Sequence, residues 1–181
     1  MSAAEFMTPA SPEQIDEAAA VIVPGVGHFA ATAALTDPWR ARIRGTVERG
    51  TPLLGICVGM QWLFEGSDEA PEVPGSGLLP GRVQRLEGNA EQRLKIPHVG
   101  WNAIEKPRPS RILDGLESGA FVYFTHSYAA PVTAACVGAT THATPFAAVV
   151  EQDNVFGVQF HPEKSSDAGL QILRNFLDIA R

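Results

Sequence analysis

The stretch "GICVG" sets Cys57 between Gly55 and Gly59, with the apolar run "PLLGI" leading in and the amphipathic "MQWLF" leading out. Gly-x-Cys-x-Gly between a strand and a helix has the form of a nucleophile elbow, in which flanking glycines are needed because a Cβ would collide with the packed strand and helix. Such an elbow leaves the sulfur at a helix N-terminus. Unpaired N–H groups and the macrodipole there favour thiolate over thiol and can also hold an oxyanion. A thiol nucleophile needs a base, and the base needs a group that fixes its tautomer. Of the five histidines, His28, His98, His126 and His142 have no carboxylate close in sequence and read as structural or surface residues. His161 is followed two residues later by Glu163, at the end of the strand-like run "NVFGVQF". At a strand end, that i,i+2 relation can bring a carboxylate beside an imidazole. Each element alone also has an ordinary reading, since free cysteines are mostly small buried hydrophobes and a His-x-Glu pair can simply decorate a solvated turn.

The elements around these residues decide whether they can meet. "AAAVIVPGVG" (18–27) reads as a buried strand ending in a Pro/Gly turn, because Val21, Ile22 and Val23 are β-branched and consecutive. A helix is expected next, with Asp37 as N-cap, Pro38 at its first position, Trp39, Ile43 and Val47 on one face, and Gly50 at its stop. "PLLGI" (52–56) is the next strand, and Val58–Phe64 opens a second helix with Met60, Leu63 and Phe64 on one side. Strand, helix, strand, helix implies parallel strands with a right-handed crossover, so "PGVG" and Cys57 belong at the same carboxyl edge, where such sheets bind ligands. Residues Glu65–Gly81 read as a surface connection, followed by the short strands "GRVQRL", "FVYFTHSY", "TAACVGAT" and "FAAVVE", some of them antiparallel. The last helix is expected to be capped by Ser166 or Asp167, with Leu170, Leu173 and Leu177 facing inward.

Composition narrows the function classes. A length of 181 residues at 45% hydrophobic and 19% charged content suits a single domain spanning residues 1–181 with its own core. A net charge of −6 offers no field for a phosphate backbone, which argues against nucleic acid. The apolar stretches near 18–26 and 53–63 are too short or too broken to span a bilayer. "MSAAEFMTPASPEQ" carries neither basic residues nor an apolar core, so it does not read as a secretory leader. Two cysteines without metal-type spacing suggest free thiols and a cytoplasmic location, with no metal site.

Taken in order and separation, "GICVGMQ" and "GVQFHPEKS" resemble the Cys and His-x-Glu elements of the class I, triad-type glutamine amidotransferases. "VIVPGVGHF", "GICVGMQWLFEGSDE", "KIPHVGWN" and "YFTHSY" resemble, within that class, the glutaminase subunits of imidazole glycerol phosphate synthase. The resemblance implies an α/β, flavodoxin-like fold with an open mixed sheet, mostly parallel, flanked by helices. It implies that Cys57 attacks the side-chain amide of glutamine, that His161 shuttles the proton, and that Glu163 orients the imidazole. The backbone of Val26, Gly27 and Val58 would form the oxyanion hole, Gln61 would contact glutamine, and the main chain at Ser127 and Tyr128 would hold its α-amino and carboxylate groups. No cofactor is implied. The implied partner is a (β/α)8-barrel cyclase subunit in a heterodimer, which takes the released ammonia to make imidazole glycerol phosphate and aminoimidazole carboxamide ribotide in histidine biosynthesis. Pro97, Trp101, Asn102 and Tyr123 would lie at that contact. The family also implies slow turnover by the glutaminase alone, with a flip of the "PGVG" peptide as the switch.

One departure stands out. The family normally begins with a further strand, a "DYGxGN"-like turn and a helix ahead of the segment matched by "EFMTPASPEQIDEAAAVIVPG". Without them the sheet is expected to carry an exposed edge and lower stability. Two other readings compete: the glutaminase of another triad-type amidotransferase pathway, and a non-catalytic regulatory module of the same fold.

Overall fold

The structure, a computed structural model, describes residues 5–91 and 94–181. The first four residues, on which part of the leader reading rests, lie outside these. The chain opens with a 3-10 turn at Pro12–Glu17, then runs through β1 (Val21–Gly25), α1 (Asp37–Glu48), β2 (Leu53–Cys57) and α2 (Val58–Trp62). β3 (Gly66–Ser67), β4 (Arg82–Arg85), β5 (His98–Ile104), β6 (Ala120–His126) and β7 (Tyr128–Ala129) follow. The chain closes with β8 (Cys136–His142), β9 (Thr144–Gln152), β10 (Val155–Val158) and α3 (Ser166–Ile179).

The central sheet has the order β1-β2-β10-β9-β8. Its two faces are sorted by alternation along the strands. Val23, Leu53 and Val155 turn toward Ile43 and Val47 of α1, while Leu54 and Phe156 turn toward Ile172 and Phe176 of α3. Apolar residues on both faces explain why these strands read as continuous hydrophobic runs. β1/β2 and β2/β10 are parallel, whereas β10/β9 and β9/β8 are antiparallel. The sheet is therefore open and mixed, with the two kinds of pairing in balance instead of mostly parallel. The links are the reason: β8 and β9 are joined through Ala143 and β9 and β10 through Asp153 and Asn154, too little chain for a parallel crossover.

Several local expectations are corrected. The sequence patterns predict no strand over 98–104, yet β5 pairs with β6 from His98↔His126 to Ile104↔Ala120. Residues 65–81 are more than a surface connection, because Ala70, Val73 and Leu79 are buried. The N-cap of α1 is Thr36, one residue before Asp37. In α3, Leu170 is 47% exposed and the buried positions are Gly169, Ile172, Asn175 and Phe176. Close packing rotates the helix to that face, since a Cβ on Gly169 would overlap the Pro162 carbonyl. β1 is an edge strand among the described residues, and a groove of about 1140 Å³ lined by Ile22, Leu35, Trp39, Phe176 and Leu177 runs beside it.

Gly169 is where α3 presses on the His161–Glu163 turn. Gly169→Ala is expected to cost about 1–3 kcal/mol through overpacking and to lower the melting temperature by several degrees, as calorimetry would show.

Candidate active site

Strand β2 delivers Cys57 at φ +55°, ψ −114°, a backbone conformation that costs a non-glycine residue about 1–3 kcal/mol and persists only where the surroundings impose it. The glycines do impose it. A Cβ on Gly55 would come 2.6 Å from the Gly59 carbonyl oxygen, one on Gly25 would come 2.8 Å from the Gly59 nitrogen, and one on Gly59 would overlap the Val23 carbonyl. β1, β2 and α2 thus meet backbone to backbone, as the elbow pattern requires. The register Gly25↔Cys57 sets the "PGVG" turn beside the elbow. Val26 there is 74% exposed, and Gly27 has φ +87° with open space around it.

The sulfur is buried, and burial dominates its ionisation. The thiol pKa is pushed up to about 11, with the Val58 N–H pulling it down and the negative charges of Glu163 and Glu69 adding to the rise. The helix N-terminus therefore acts in the direction expected, but desolvation outweighs it and Cys57 rests as a thiol at neutral pH.

His161 lies just past β10, which neighbours β2 with Val158 opposite Ile56, so the two strand ends carry the cysteine and the histidine to one edge. His161 Nδ1 is 2.9 Å from Glu163 Oε1, with the ring buried and the carboxylate half in solvent. The turn is pinned at its backbone. The His161 N–H donates to the Tyr123 carbonyl at 3.0 Å, and Ser165 Oγ donates to the His161 carbonyl at 2.7 Å. Among the described residues the side-chain hydrogen bond to the Cys57 sulfur comes not from the imidazole but from Gln159 Nε2, at 3.8 Å. Gln159 is fully buried and is not singled out by the motifs; a glutamine inside the apolar run "VFGVQF" is the signal that could have found it.

Gln61 and Tyr128 are brought together. Gln61 Nε2 donates to the Tyr128 carbonyl at 2.9 Å and to Gln159 Oε1 at 3.2 Å, while Gln61 Oε1 is buried with no partner among the described residues. An orphaned acceptor at such a site is costly unless a ligand donates to it. The carbonyl of the adjacent Ser127 accepts from the Leu86 N–H at 2.8 Å.

The expected contact residues separate into two groups. Trp101 is 51% exposed and meets half-buried Tyr123 edge to face at 6.1 Å. Exposed Val99 and Phe121 share their face of the β5–β6 pair and extend the patch. Period-2 alternation in "FVYFTH" is the signal for Phe121 and Tyr123, and pairing with that strand places Val99 and Trp101 beside them. Pro97 is exposed just before β5. Asn102 is on the opposite face, where Nδ2 contacts His98 Nε2 at 3.4 Å and the Thr141 carbonyl at 3.1 Å, so its amide is committed within the chain.

Beneath that face, His98, His126 and His142 form a buried cluster among Phe124 and Phe146. His98 stacks on His142 at 4.2 Å and its Nδ1 lies 3.0 Å from His126 Nε2. Burial and the neighbouring rings lower the pKa of His98 to about 3 and of His126 to about 4, so both are neutral near pH 7. No group of side chains suited to a metal ion occurs among the described residues.

The model of the family "Glutamine amidotransferase class-I" matches residues 3–180. An imidazole glycerol phosphate synthase subunit HisH from Moorella thermoacetica is 47% identical over 94% of this chain and 81% of its own length. The corresponding subunit from Methanothermobacter thermautotrophicus is 41% identical over 98% of this chain and 88% of its own. The chain belongs to the class-I glutamine amidotransferases, among the HisH subunits. In fold it is similar to a crystal structure of a glutamine amidotransferase, with a TM-score of 0.69 at 23% identity over 94% of this chain and 83% of that one. It is also similar to PurLQS from Thermotoga maritima, with a TM-score of 0.63 at 19% identity over 88% of this chain and 80% of that one.

The two depressed histidines set a pH signature for this amidotransferase. In the unfolded chain they bind protons near pH 6.5, in the folded chain only near pH 3–4, so the unfolded state holds more protons between those values. Stability should rise with pH across that window by up to about 1.4 kcal/mol per pH unit for each histidine. Urea unfolding at a series of pH values should show the slope, and His98→Gln should remove about half of it.

Proposed function

We propose that this glutamine amidotransferase subunit hydrolyses glutamine to glutamate and ammonia through Cys57, His161 and Glu163, as one domain working with a cyclase subunit in histidine biosynthesis. The observation that carries the reading is the strained elbow cysteine placed at the same sheet edge as the hydrogen-bonded His161–Glu163 pair. The Glu163 carboxylate accepts from His161 Nδ1–H, which leaves Nε2 free to act as base. Nε2 takes the Cys57 proton as the sulfur adds to the amide carbonyl of glutamine. The negative oxygen so formed is held by the Val58 N–H and by amides of the "PGVG" turn at Val26 and Gly27. His161 then returns the proton to the departing nitrogen, ammonia leaves, and the γ-glutamyl thioester remains. Water, deprotonated by the same imidazole, hydrolyses the thioester and regenerates the thiol. Every step uses groups of the chain and water, so no cofactor is called for.

Gln61 Oε1, a buried acceptor without a partner among the described residues, suits the α-ammonium of glutamine, with the Tyr128 main chain bonded to the same side-chain amide and Ser127 preceding it in the chain. A thiol pushed to about 11 is a weak nucleophile at rest, which accords with a glutaminase that turns over slowly until its partner engages. The apolar face of Val99, Trp101, Phe121 and Tyr123 is proposed as the seat of a (β/α)8-barrel cyclase subunit, with Pro97 at its margin. Both cysteines are free thiols, which suits the reducing cytoplasm. No helix among the described residues is long and apolar enough to cross a membrane.

Cys57→Ala, assayed as the two-subunit complex, should lose glutamine-dependent cyclisation by at least about 1000-fold, the scale of losing a covalent nucleophile. Cyclisation supplied with ammonium salt should persist. Retention of glutamine-dependent turnover would overturn the assignment, and stoichiometric labelling of Cys57 by a glutamine-analogue electrophile would separate the enzyme from a non-catalytic module.

A further inference from the structure

The amide side chain of Gln159 stands against the nucleophile, and nothing in the reaction described above uses it. It is fully buried, it is 102 residues from Cys57 in sequence, and its Nε2 lies 3.8 Å from the Cys57 sulfur. Setting either end of a buried primary amide against a like group is costly, so its orientation is set by whatever it faces. The Tyr128 carbonyl supplies that orientation. A carbonyl only accepts, so the group of Gln61 at 2.9 Å from it must be the NH2 end, and the same NH2 reaches Gln159 Oε1 at 3.2 Å. Turning Gln159 over would set two NH2 groups face to face. The donor end of Gln159, not its oxygen, is thereby obliged to face the sulfur.

The Tyr128 carbonyl is itself held from the other side. His126 Nδ1 lies 2.9 Å from it and must carry the hydrogen, which leaves Nε2 of neutral His126 as an acceptor for His98 Nδ1–H at 3.0 Å. His98 Nε2 then accepts from Asn102 Nδ2 at 3.4 Å. With both lone pairs of the carbonyl occupied, turning Gln61 over would set two oxygens face to face, and turning His126 over would break its Nδ1–H bond to the same carbonyl.

We propose that Gln159 is a positioning residue for the nucleophile: its amide N–H, oriented through Gln61 and the Tyr128 carbonyl, holds the Cys57 sulfur and favours its ionised form. A thiol accepts weakly and a thiolate strongly, so the donor acts when the proton leaves for His161. The Val58 N–H bonds the same sulfur from the main chain, and Gln159 Nε2 reaches it at 3.8 Å from a side chain.

The test is the pH dependence of Cys57 alkylation by iodoacetamide, a neutral reagent that needs neither glutamine nor a partner subunit. In Gln159→Met the donor is gone, and in Gln159→Glu the acceptor for Gln61 is kept while the donor is lost. Both variants should shift the alkylation midpoint upward by about one pH unit or more, a roughly tenfold loss of rate at a given pH below it. With the partner present, kcat for glutamine should fall more than KM rises. In the unsubstituted protein, the Gln159 side-chain amide resonance in NMR should move with the ionisation of Cys57. Folded variants with the wild-type alkylation profile, or an amide resonance indifferent to that ionisation, would overturn the proposal. The proposal rests on Cys57 being the nucleophile, and the two readings fail separately: a shifted profile in a protein that never hydrolyses glutamine rejects the glutaminase assignment alone.

Discussion

Gly59 lies so close to the Val23 carbonyl that no side chain fits between them, and Gly25 and Gly55 are crowded by α2 in the same way. That mutual approach of two parallel strands and a helix start is the constraint from which the site follows. It holds Cys57 at a positive φ, forces the sulfur out of the strand line, and lays the "PGVG" turn alongside. Hydrophobic burial on both sheet faces supplies the force that keeps three backbones in contact at a place where no side chain can cushion them. A strained residue survives only in such a frame.

A second constraint acts at the neighbouring strand. β10 ends beside β2, and α3 presses Gly169 onto the Pro162 carbonyl, so the turn carrying His161 and Glu163 is clamped between sheet and helix. Ser165 completes the clamp by bonding to both the His161 carbonyl and the Tyr123 N–H. Tyr123 belongs to β6, one of the two strands with the exposed aromatic face. The imidazole is thus tied by main-chain bonds to the surface proposed to receive a partner.

Much of this is legible in the sequence because the decisive signals are local. Glycines at fixed offsets from a cysteine, a strand-ending His-x-Glu and β-branched runs each report on a few consecutive residues, and the parallel order of β1 and β2 follows from their spacing. What escapes has a common cause: it depends on contacts between distant segments. The inward face of α3 turns on Gly169 meeting Pro162, not on leucine spacing. The polarity of the buried amides and imidazoles is decided by one carbonyl, that of Tyr128, which no pattern of residue types announces. Thiolate stabilisation at the helix start follows from geometry, but burial, which a sequence does not reveal residue by residue, reverses the balance. β5 is hidden for a different reason, Gly100 in its middle weakening the pattern of a strand whose partner fixes its register.

The buried, protonated state of Cys57 also bears on its chemical durability. Peroxides oxidise thiolates far faster than thiols, and the first product, a sulfenic acid, needs access for whatever reacts with it next. A sulfur with its proton retained by desolvation and its surface covered by neighbouring chain is shielded on both counts. Burial of this kind keeps Cys57 in the form that peroxides attack slowly, and in the reaction proposed above the same burial that slows the sulfur would spare it between turnovers.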